Sequence, residues 1–285
     1  MKILSLDGGG LRGVGQAAIL GQVPDLDRFD MVVGTSVGSI LASLVAIKAP
    51  QNVFVDFFRR QGMDIFRGYW WRRFKFLGSR YDDAILNKHL KKLFPYKLRD
   101  ATVPLFVVAG DFKENRLKVF SSVDPKFQDT DWNMWEVVRA SVAAPTYFSP
   151  WRGYIDGGVY ANNPSVVGIV AAVKDLKARM EDIEVCSIGT GEIFPNARSA
   201  TGFLTSLQWG DYLVHAMLDG AAMTMHDMAA RTFAEYGAIK SYLRIQFPNP
   251  CDFQIDDPAV VEGLLDLWRP NIMEGVLMVK DFLKP

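Results

Sequence analysis

One serine in this sequence stands in a setting that could make it a nucleophile. Ser36 is the centre of GTSVG (residues 34–38), a G-x-S-x-G pattern that joins an apolar run to a segment rich in alanine and leucine. Between a strand and a helix, this pattern predicts a nucleophile elbow, a tight turn that holds Ser36 in a strained, exposed position. Gly34 and Gly38 would let the helix approach the strand, and the helix dipole would favour an incipient alkoxide. The alternative is a plain turn of glycine and serine.

A run of glycines near the start could bind negative charge with its backbone amides. GGGLRG (residues 8–13) matches G-x-G-x-x-G, a pattern also found in dinucleotide-binding loops. A nucleotide loop requires an acidic residue at the carboxyl end of the second strand, whereas Asp25, Asp27 and Asp30 precede or open that strand. GTSVG stands there instead. Because a serine that attacks an ester generates an oxyanion, we interpret the glycine run as the source of amides that stabilise this charge.

The residues of the glycine run have separate expected roles. The amides of Gly8, Gly9 and Gly10 are the candidates for an oxyanion hole, in which each donor is worth about 2.7–4 kcal/mol of transition-state stabilisation. Arg12 could brace the loop or attract an anionic head group, and an ordinary surface arginine is the alternative. Gly13 completes the pattern.

The serine needs a base, and the sequence offers three histidines and one well-placed aspartate. His89 lies in a basic amphipathic segment, where we expect it to be solvated, and His215 and His226 lie in a helical region. The order Ser…Asp…His suits a triad, although neither of these last two follows a strand directly. Asp156 is the better candidate, because two glycines follow it at the end of a short apolar stretch, which predicts a tightly turned, exposed position. Partial burial would raise its pKa and improve it as a base; an aspartate in an ordinary turn is the alternative.

Strands and helices alternate along the chain and would position these residues. Apolar runs predict strands at residues 2–6, 29–33, 104–111, 116–122, 184–188 and 243–247, and a short apolar stretch at 154–155. Helical spacing predicts helices at residues 14–20, 39–47, 84–94, 134–143, 164–180, 204–236 and 260–283. This alternation indicates an α/β fold with a mostly parallel central sheet. Because no repeat or Ser/Pro-rich linker divides the sequence, we expect a single domain over residues 1–285, with residues 192–285 mainly helical.

Composition and charge limit the classes of function. The chain has 285 residues, 49% of them apolar and 22% charged, and 32 basic residues balance 32 acidic ones. This balance gives no global attraction to nucleic acid, so no nucleic-acid partner is expected. The longest charge-free stretch near the start, residues 31–47, is shorter than the roughly 20 apolar residues of a membrane span, and no secretory signal precedes it. Cys186 and Cys251 fit buried thiols in a reducing compartment, so a cytoplasmic protein is expected.

Three ordered motifs give this sequence a specific family resemblance. DGGGLRG (residues 7–13), GTSVG (34–38) and DGG (156–158) resemble the motifs of the patatin-like phospholipases, and ASVAAPTYF (140–148), ANNP (161–164) and SIGTG (187–191) match them further. The resemblance covers residues 2–191. It implies a three-layer α/β/α sandwich, related to the α/β-hydrolases but distinct from them, and chemistry that needs no metal or other cofactor.

The resemblance also implies roles for individual residues. Ser36 would be the nucleophile and Asp156 the base of a dyad without histidine, with the glycine run as the oxyanion hole. Gly157 and Gly158 would support the aspartate. Ser39 is one departure, since many relatives have a further glycine after the elbow.

The leading hypothesis is a lipid acyl hydrolase that cleaves phospholipids or related esters through an acyl-enzyme. Two alternatives stay open: a catalytically silent binding protein of the same fold, and a histidine-triad esterase or thioesterase. The segment GYWWRRFKFLG (residues 68–78) combines interfacial aromatic residues with four cations, which predicts peripheral contact with a membrane surface. A cap packed over the core, with its arginines in solvent, is the alternative for this segment.

Overall fold

The computed structural model describes residues 1–66, 79–123, 132–193, 229–249, 256 and 260–285. The strands within them are β1 (Lys2–Leu6), β2 (Met31–Thr35), β3 (Leu105–Asp111), β4 (Arg116–Ser121), β5 (Tyr154–Asp156), β6 (Glu184–Ile188), β7 (Glu192–Ile193), β8 (Ser241–Ile245) and β9 (Pro248–Asn249). In this part of the chain, seven strands form one sheet in the order β4-β3-β2-β1-β6-β8, with β5 also paired to β3, and β7 pairs with β9. Strands β1, β2, β3, β6 and β8 are parallel, whereas β4 and β5 run antiparallel to β3. The sheet is therefore mostly parallel, as predicted.

Helices of the described residues cover both faces of this sheet. They are α1 (Val14–Leu20), α2 (Val37–Ala46), α3 (Asn52–Asp56), α4 (Met63–Ile65), α5 (Asp83–Leu93), α6 (Met134–Ser141), α7 (Gly158–Ala161), α8 (Ser165–Asp175), α9 (Arg231–Glu235), α10 (Val260–Leu267) and α11 (Arg269–Phe282). A π-helical segment, Phe57–Gly62, joins α3 to α4, and a 3-10 turn, Gly10–Gly13, precedes α1.

Several predicted boundaries differ from the structure, among them the strand predicted at 243–247, which is observed as β8 at Ser241–Ile245. Two of the other differences have clear local reasons. The helix predicted to reach residue 180 ends at Asp175, and Lys177 then adopts a positive φ of 58°, which an α-helix cannot continue. The strand predicted from residue 29 begins at Met31, because the amide of Phe29 instead closes a 3-10 turn by donating to the carbonyl of Leu26.

Side chains alternate between two cores because helices cover the sheet on both faces. Leu4 and Leu6 of β1 belong to the larger core, which α1, α2, α6, α10 and α11 complete. Ile3, the residue before Leu4, points to the other face and belongs to a smaller core under α8 and α9. Helices, sheet and helices are thus the three layers of an α/β/α sandwich, as the family resemblance implied.

The pairing along β3 decides where the predicted catalytic residues meet. Strand β2 pairs with β3 as far as Thr35, which lies opposite Val108. At the next residue of β3, Ala109, the partner is Asp156 of β5. Since β4 pairs with the other edge of β3 as far as Asp111, β5 must occupy the edge that β2 leaves free. The segment after β2 and the end of β5 therefore arrive at one place in the sheet.

The described part of the C-terminal region combines helices α9, α10 and α11 with the short strands β7 and β9 and the sheet strand β8. The predicted helix at 260–283 is confirmed as α10 and α11, and Trp268 between them stacks on Phe247 with ring centroids 4.7 Å apart. Of the helical region predicted at 204–236, residues 204–228 lie outside the described residues. In the described part of the chain, no helix combines the length and apolar character that crossing a membrane requires.

Candidate active site

The turn at Ser36 has the geometry of a nucleophile elbow. Ser36 adopts φ 52° and ψ −126° directly before α2, a strained conformation for a residue with a Cβ. A Cβ on Gly34 would lie 2.3 Å from the carbonyl oxygen of Gly38, and one on Gly38 would lie 2.2 Å from that of Leu6. Both positions therefore require glycine for the helix to approach the sheet so closely. Ser36 is strained as predicted, but it is half-buried rather than fully exposed.

Ser36 and Asp156 are in direct contact. The Ser36 hydroxyl donates to Asp156 Oδ2 at 2.6 Å, and the amide of Gly158 donates to the other carboxylate oxygen at 2.7 Å. The prediction of an exposed Asp156 was wrong: the residue is 1% exposed, because β5 lies within the sheet and α7 begins immediately after it. Burial raises the pKa of Asp156 to about 6, and the hydrogen bonds from Ser36 and Gly158 oppose this rise. A proton can therefore move between the two side chains near neutral pH.

A second serine, which the sequence analysis did not single out, holds the two strand ends together. The Ser141 hydroxyl accepts a hydrogen bond from the amide of Ser36 at 2.9 Å and donates to the carbonyl of Val108 at 2.5 Å. The Ser141 carbonyl accepts from the amide of Gly157. Ser141 belongs to the quoted motif ASVAAPTYF, but nothing in its spacing from residue 36 indicated this contact.

Ser39 and Gly157 serve the local packing. Ser39, at the position where many relatives have glycine, donates from its hydroxyl to the carbonyl of Ser36 at 2.6 Å. A Cβ on Gly157 would lie 2.3 Å from the carbonyl oxygen of Val108, so this position also requires glycine. The departure at Ser39 thus adds a hydrogen bond to the turn without crowding it.

The glycine run lies beside the elbow and requires one correction. The Gly8 amide donates to the carbonyl of Asn162 at 3.1 Å, so it cannot be the third oxyanion donor predicted from the sequence. The Gly8 carbonyl accepts from the Thr190 hydroxyl at 2.8 Å and from the Asn162 side-chain amide at 3.4 Å. Within the described part of the chain, no hydrogen bond from the amides of Gly9 and Gly10 is found. These two amides are the donors that the loop can offer.

The last two residues of the run, Arg12 and Gly13, stabilise the loop from inside the protein. Arg12 is 1% exposed, so the surface-arginine alternative is wrong, and a buried side chain cannot meet a head group at the surface. Its burial fits the predicted bracing role. A Cβ on Gly13 would lie 2.8 Å from Val37 Cγ1 and 3.1 Å from the ring of Phe58. Glycine therefore lets the 3-10 turn pack against the elbow helix.

The described histidine, His89, pairs with Asp64, whereas the described partners of Asp156 are Ser36 and Gly158. His89 pairs through Nε2 with Asp64 at 2.7 Å, and its side chain is 16% exposed, so the prediction of a solvated His89 was wrong. The other two histidines of the triad alternative, the second cysteine (Cys251) and the membrane-contact segment 68–78 lie outside the described residues. Cys186 is buried as predicted, and burial raises the pKa of its thiol to about 12.

An apolar cleft opens beside the dyad. It contains about 680 Å³ of space, part of it open to solvent. Among the described residues, Ser36, Asp156 and Asn162 line it with a hydroxyl, a carboxylate and an amide. The remaining lining is mostly aliphatic and aromatic: Gly9, Gly10, Leu11, Val37, Ile40, Phe57, Phe58, Ile65, Phe66, Leu86, Val142, Ala144, Tyr147 and Phe148. A cleft of this size and character suits a hydrocarbon chain whose polar end lies at the serine.

Comparison with known proteins supplies the family. The model of the patatin-like phospholipase family matches residues 4–167. The chain belongs to this family. It is 26% identical to a cGAMP-activated phospholipase of Vibrio cholerae, with 94% of this chain and 88% of the relative covered. It is 28% identical to patatin group D-2 of Solanum tuberosum (86% and 76% covered) and 27% identical to the probable inactive patatin-like protein 9 of Arabidopsis thaliana (86% and 74% covered). The protein is thus a patatin-like phospholipase, and its site must explain how the ester is cleaved.

Proposed function

We propose that this protein hydrolyses the fatty-acyl ester bonds of phospholipids or related lipids through a dyad of Ser36 and Asp156. The observation that carries the proposal is the 2.6 Å hydrogen bond from the Ser36 hydroxyl to the buried carboxylate, at the wall of an apolar cleft. A nucleophile in contact with its base, beside room for an acyl chain, is the arrangement that ester cleavage requires.

In the first half of the reaction, Ser36 becomes acylated. Its Oγ attacks the ester carbonyl carbon while its proton passes to Asp156 Oδ2, and the carbonyl oxygen becomes an oxyanion facing the amides of Gly9 and Gly10. When the bond to the leaving oxygen breaks, Asp156 returns the proton to that oxygen. The alcohol or lysolipid then leaves, and the acyl group stays on Ser36 for water to remove.

The raised pKa of Asp156 is what lets an aspartate take the place of a histidine. An ordinary carboxylate is too weak a base to take a proton from a serine, and catalysis is most efficient when the pKa of the base lies near the working pH. Burial raises the pKa of Asp156 to about 6, so at pH 7 most molecules carry the ionised, proton-accepting form. In this mechanism neither oxyanion stabilisation nor proton transfer calls on a histidine.

A labelling and turnover experiment tests the proposal. We expect the wild type to cleave a chromogenic acyl ester and phospholipid vesicles, and a fluorophosphonate probe to label Ser36. Ser36→Ala should lose both activities. The matched control is Ser43→Ala, because Ser43 is a fully buried serine of α2, the helix that follows Ser36, and its hydroxyl has no hydrogen-bond partner among the described residues. Hydrolysis by the Ser36→Ala variant at the wild-type rate would refute the proposal.

The assay includes cGAMP because the relative from Vibrio cholerae is named for activation by it. Each variant is measured with and without this nucleotide, so that a missing activator is not mistaken for a missing activity. A catalytically silent protein of the same fold would neither hydrolyse ester nor accept the fluorophosphonate under either condition.

We also propose a cytoplasmic protein that reaches its substrate by peripheral contact with membranes through residues 68–78. The support is the sequence alone: Trp70, Trp71 and the neighbouring cations suit the head-group layer, where each basic residue contributes about 1 kcal/mol. Co-sedimentation with anionic vesicles should weaken in the Trp70→Ala/Trp71→Ala variant, while cleavage of a water-soluble ester continues. Equal vesicle binding by variant and wild type would reject this contact.

A further inference from the structure

Asn162 is a polar group of the cleft that the proposed dyad leaves unused. Its side chain lines the cleft and is 4% exposed. Its Oδ1 is buried and accepts no hydrogen bond from the described residues. Buried polar atoms nearly always have a partner, and an unmade hydrogen bond destabilises the folded state. An acceptor without a donor at a reaction centre indicates a ligand that brings its own proton.

The position of this oxygen relates it to the nucleophile. A Cβ built on Gly8 would lie 2.2 Å from Asn162 Oδ1 and 3.1 Å from Ser36 Cβ, so both atoms pack against Gly8 and lie close to each other. The amide nitrogen of Asn162 points to the Gly8 carbonyl, which can only accept. That contact occupies the amide nitrogen and leaves the oxygen, close to Ser36, without a donor among the described residues.

Deacylation requires a hydrogen-bond acceptor for the attacking water, and Asn162 Oδ1 is an acceptor. The water that attacks the acyl-enzyme has two O–H bonds, and Asp156 accepts only one of its protons. In an apolar cleft the second O–H requires another acceptor. We propose that Asn162 Oδ1 accepts this second hydrogen bond and so orients the hydrolytic water between itself and Asp156. The inference rests on the proposed acyl-enzyme and adds a water-positioning residue to it.

The step balances in atoms and charge. The water oxygen forms a bond to the acyl carbon, one water proton moves to Asp156, and the carbonyl oxygen becomes the oxyanion. When the bond between the acyl carbon and Ser36 Oγ breaks, Asp156 returns its proton to Oγ. The second water proton stays with the fatty acid, held toward Asn162 until the product leaves and ionises in solvent. Asn162 itself gains and loses nothing.

A second role for Asn162 must be separated from this one, since its amide also touches the Gly8 carbonyl. That hydrogen bond is long at 3.4 Å, whereas Thr190 makes a 2.8 Å bond to the same carbonyl. Thr190→Val keeps the side-chain shape and removes the stronger bond. It is therefore the matched control for loss of loop support without loss of the free acceptor.

The two steps of the reaction separate the roles. Fluorophosphonate labelling and the burst phase of a p-nitrophenyl ester report attack by Ser36, and steady-state turnover reports deacylation. For Asn162→Ala we expect labelling within about threefold of the wild type and deacylation slowed by about tenfold, the value of one neutral hydrogen bond. Acyl-enzyme should accumulate as a burst. Thr190→Val should instead slow labelling.

Methanol provides a readout that a structural role would not change. It has one O–H, which Asp156 accepts, so it gains nothing from Asn162. With methanol present, the ratio of methyl ester to fatty acid should rise about tenfold in Asn162→Ala and stay at the wild-type value in Thr190→Val. Asn162→Leu, nearly isosteric and without polar atoms, gives the same comparison should the alanine variant fail to fold.

The outcomes distinguish this inference from the proposed function. An unchanged methanol ratio, or equal losses of labelling and turnover in the Asn162 variants, would overturn the role of Asn162 while leaving the dyad intact. Absence of labelling and hydrolysis in the wild type, with or without cGAMP, would instead overturn the proposed function.

Discussion

The tripeptide Asp-Gly-Gly occurs at the ends of two strands in this protein, and its aspartate has a different role at each. Asp7 directly follows β1, and Asp156 ends β5. Their exposed fractions are 2% and 1%, so both carboxylates are removed from solvent. Burial raises the pKa of each carboxyl above its ordinary value. In both places, therefore, removal from water disfavours the ionised form. What differs is the partner.

Asp7 has a cation, and Asp156 has a hydroxyl. Arg244 of β8 contacts both oxygens of Asp7, at 2.6 and 3.0 Å, and its charge opposes the rise in the pKa of that carboxyl. Among the described residues Asp156 forms no ion pair, and its hydrogen bonds come from Ser36 and Gly158. A buried carboxylate paired with arginine stabilises the fold, whereas a buried carboxylate hydrogen-bonded to neutral donors can accept a proton.

The largest effect should come from neutralising the unpaired carboxylate. We expect Asp156→Asn to lower kcat/KM by about 10⁴-fold or more, the scale of losing the residue that serves a nucleophile. The double variant with Ser36→Ala should be little worse than either single variant, because the two residues act as a unit. An active Asp156→Asn enzyme would show that Asp156 is not the base and so contradict its contrast with Asp7. Loss of activity in His226→Ala alone would favour the histidine-triad alternative.

Neutralising the paired carboxylate should affect stability instead. Asp7→Asn removes the carboxylate that two Arg244 nitrogens contact inside the protein, so we expect the free energy of unfolding to fall by about 3–5 kcal/mol. Urea denaturation of Asp7→Asn, Arg244→Met and the double variant measures the coupling between them. The double variant should be less destabilised than the two single losses combined. A loss below about 1 kcal/mol for Asp7→Asn would show that the Asp7–Arg244 ion pair does not stabilise the fold in this way.

The glycines after Asp7 should show a smaller, purely kinetic effect. A Cβ on Gly9 would lie 2.1 Å from Thr190 Oγ1, so Gly9→Ala must displace the loop and turn an amide away from the oxyanion. We expect kcat to fall about 10²-fold with little change in KM. Gly263→Ala is the matched control, because a Cβ there meets nothing within 4 Å. Full hydrolysis combined with lost affinity for a nicotinamide dinucleotide would favour the nucleotide interpretation of this loop.

The pH dependence sharpens the comparison further. Ionised Asp156 is the base, so kcat/KM should rise about tenfold per pH unit below pH 6 and level off above it, following the pKa of about 6. Asp7→Asn should leave this midpoint in place, whereas an essential histidine would move it. Initial rates on a chromogenic ester between pH 4.5 and 8 measure the profile. A midpoint that shifts in the Asp7→Asn variant would show that the profile reports the ionisation of Asp7 and not that of Asp156.

Ionisation of Asp156 should lower the free energy of unfolding as the pH rises. Its folded pKa is above the ordinary value of 3.8, so the folded state binds more protons than the unfolded state between about pH 4 and 6. Ionising Asp156 in the fold therefore costs about 3 kcal/mol, fully present above pH 6 and relieved on acidification toward pH 4. Asp156→Asn should gain stability relative to the wild type between pH 4.5 and 7.5, as followed by urea denaturation. An unchanged difference across this range would contradict the raised pKa.

The sequence predicts well what depends on neighbouring residues. The bounds of β1, α1 and β6 agree with the predicted ones, because each is a continuous apolar or helical run with a clear end. The strained turn at Ser36 follows from Gly34 and Gly38. These features are local, and spacing within a few residues is enough to indicate them.

Features that depend on long-range pairing could not be predicted in this way. The exposed position expected for Asp156 was wrong because the burial of β5 comes from β3, about 45 positions earlier in the chain. The Ser141 contact joins residues 105 positions apart, and the Asn162 contact to Gly8 joins residues 154 apart. No periodicity relates such residues. The motifs ASVAAPTYF and ANNP marked both segments, but not which atoms would meet.

The shared edge of β3 has a consequence for how this architecture can be extended. Ser36 and Asp156 are 120 residues apart in the chain, yet they meet because two strands dock end to end on a third. The connecting segments, residues 47–104 and 112–153, can gain length at exposed turns without disturbing the docking, since each doubling of a flexible loop costs only about 0.6 kcal/mol. The hairpin turn between Asp111 and Arg116 is the direct insertion point, because β3 ends there. A domain inserted in that turn would be attached directly to the one strand that aligns nucleophile and base.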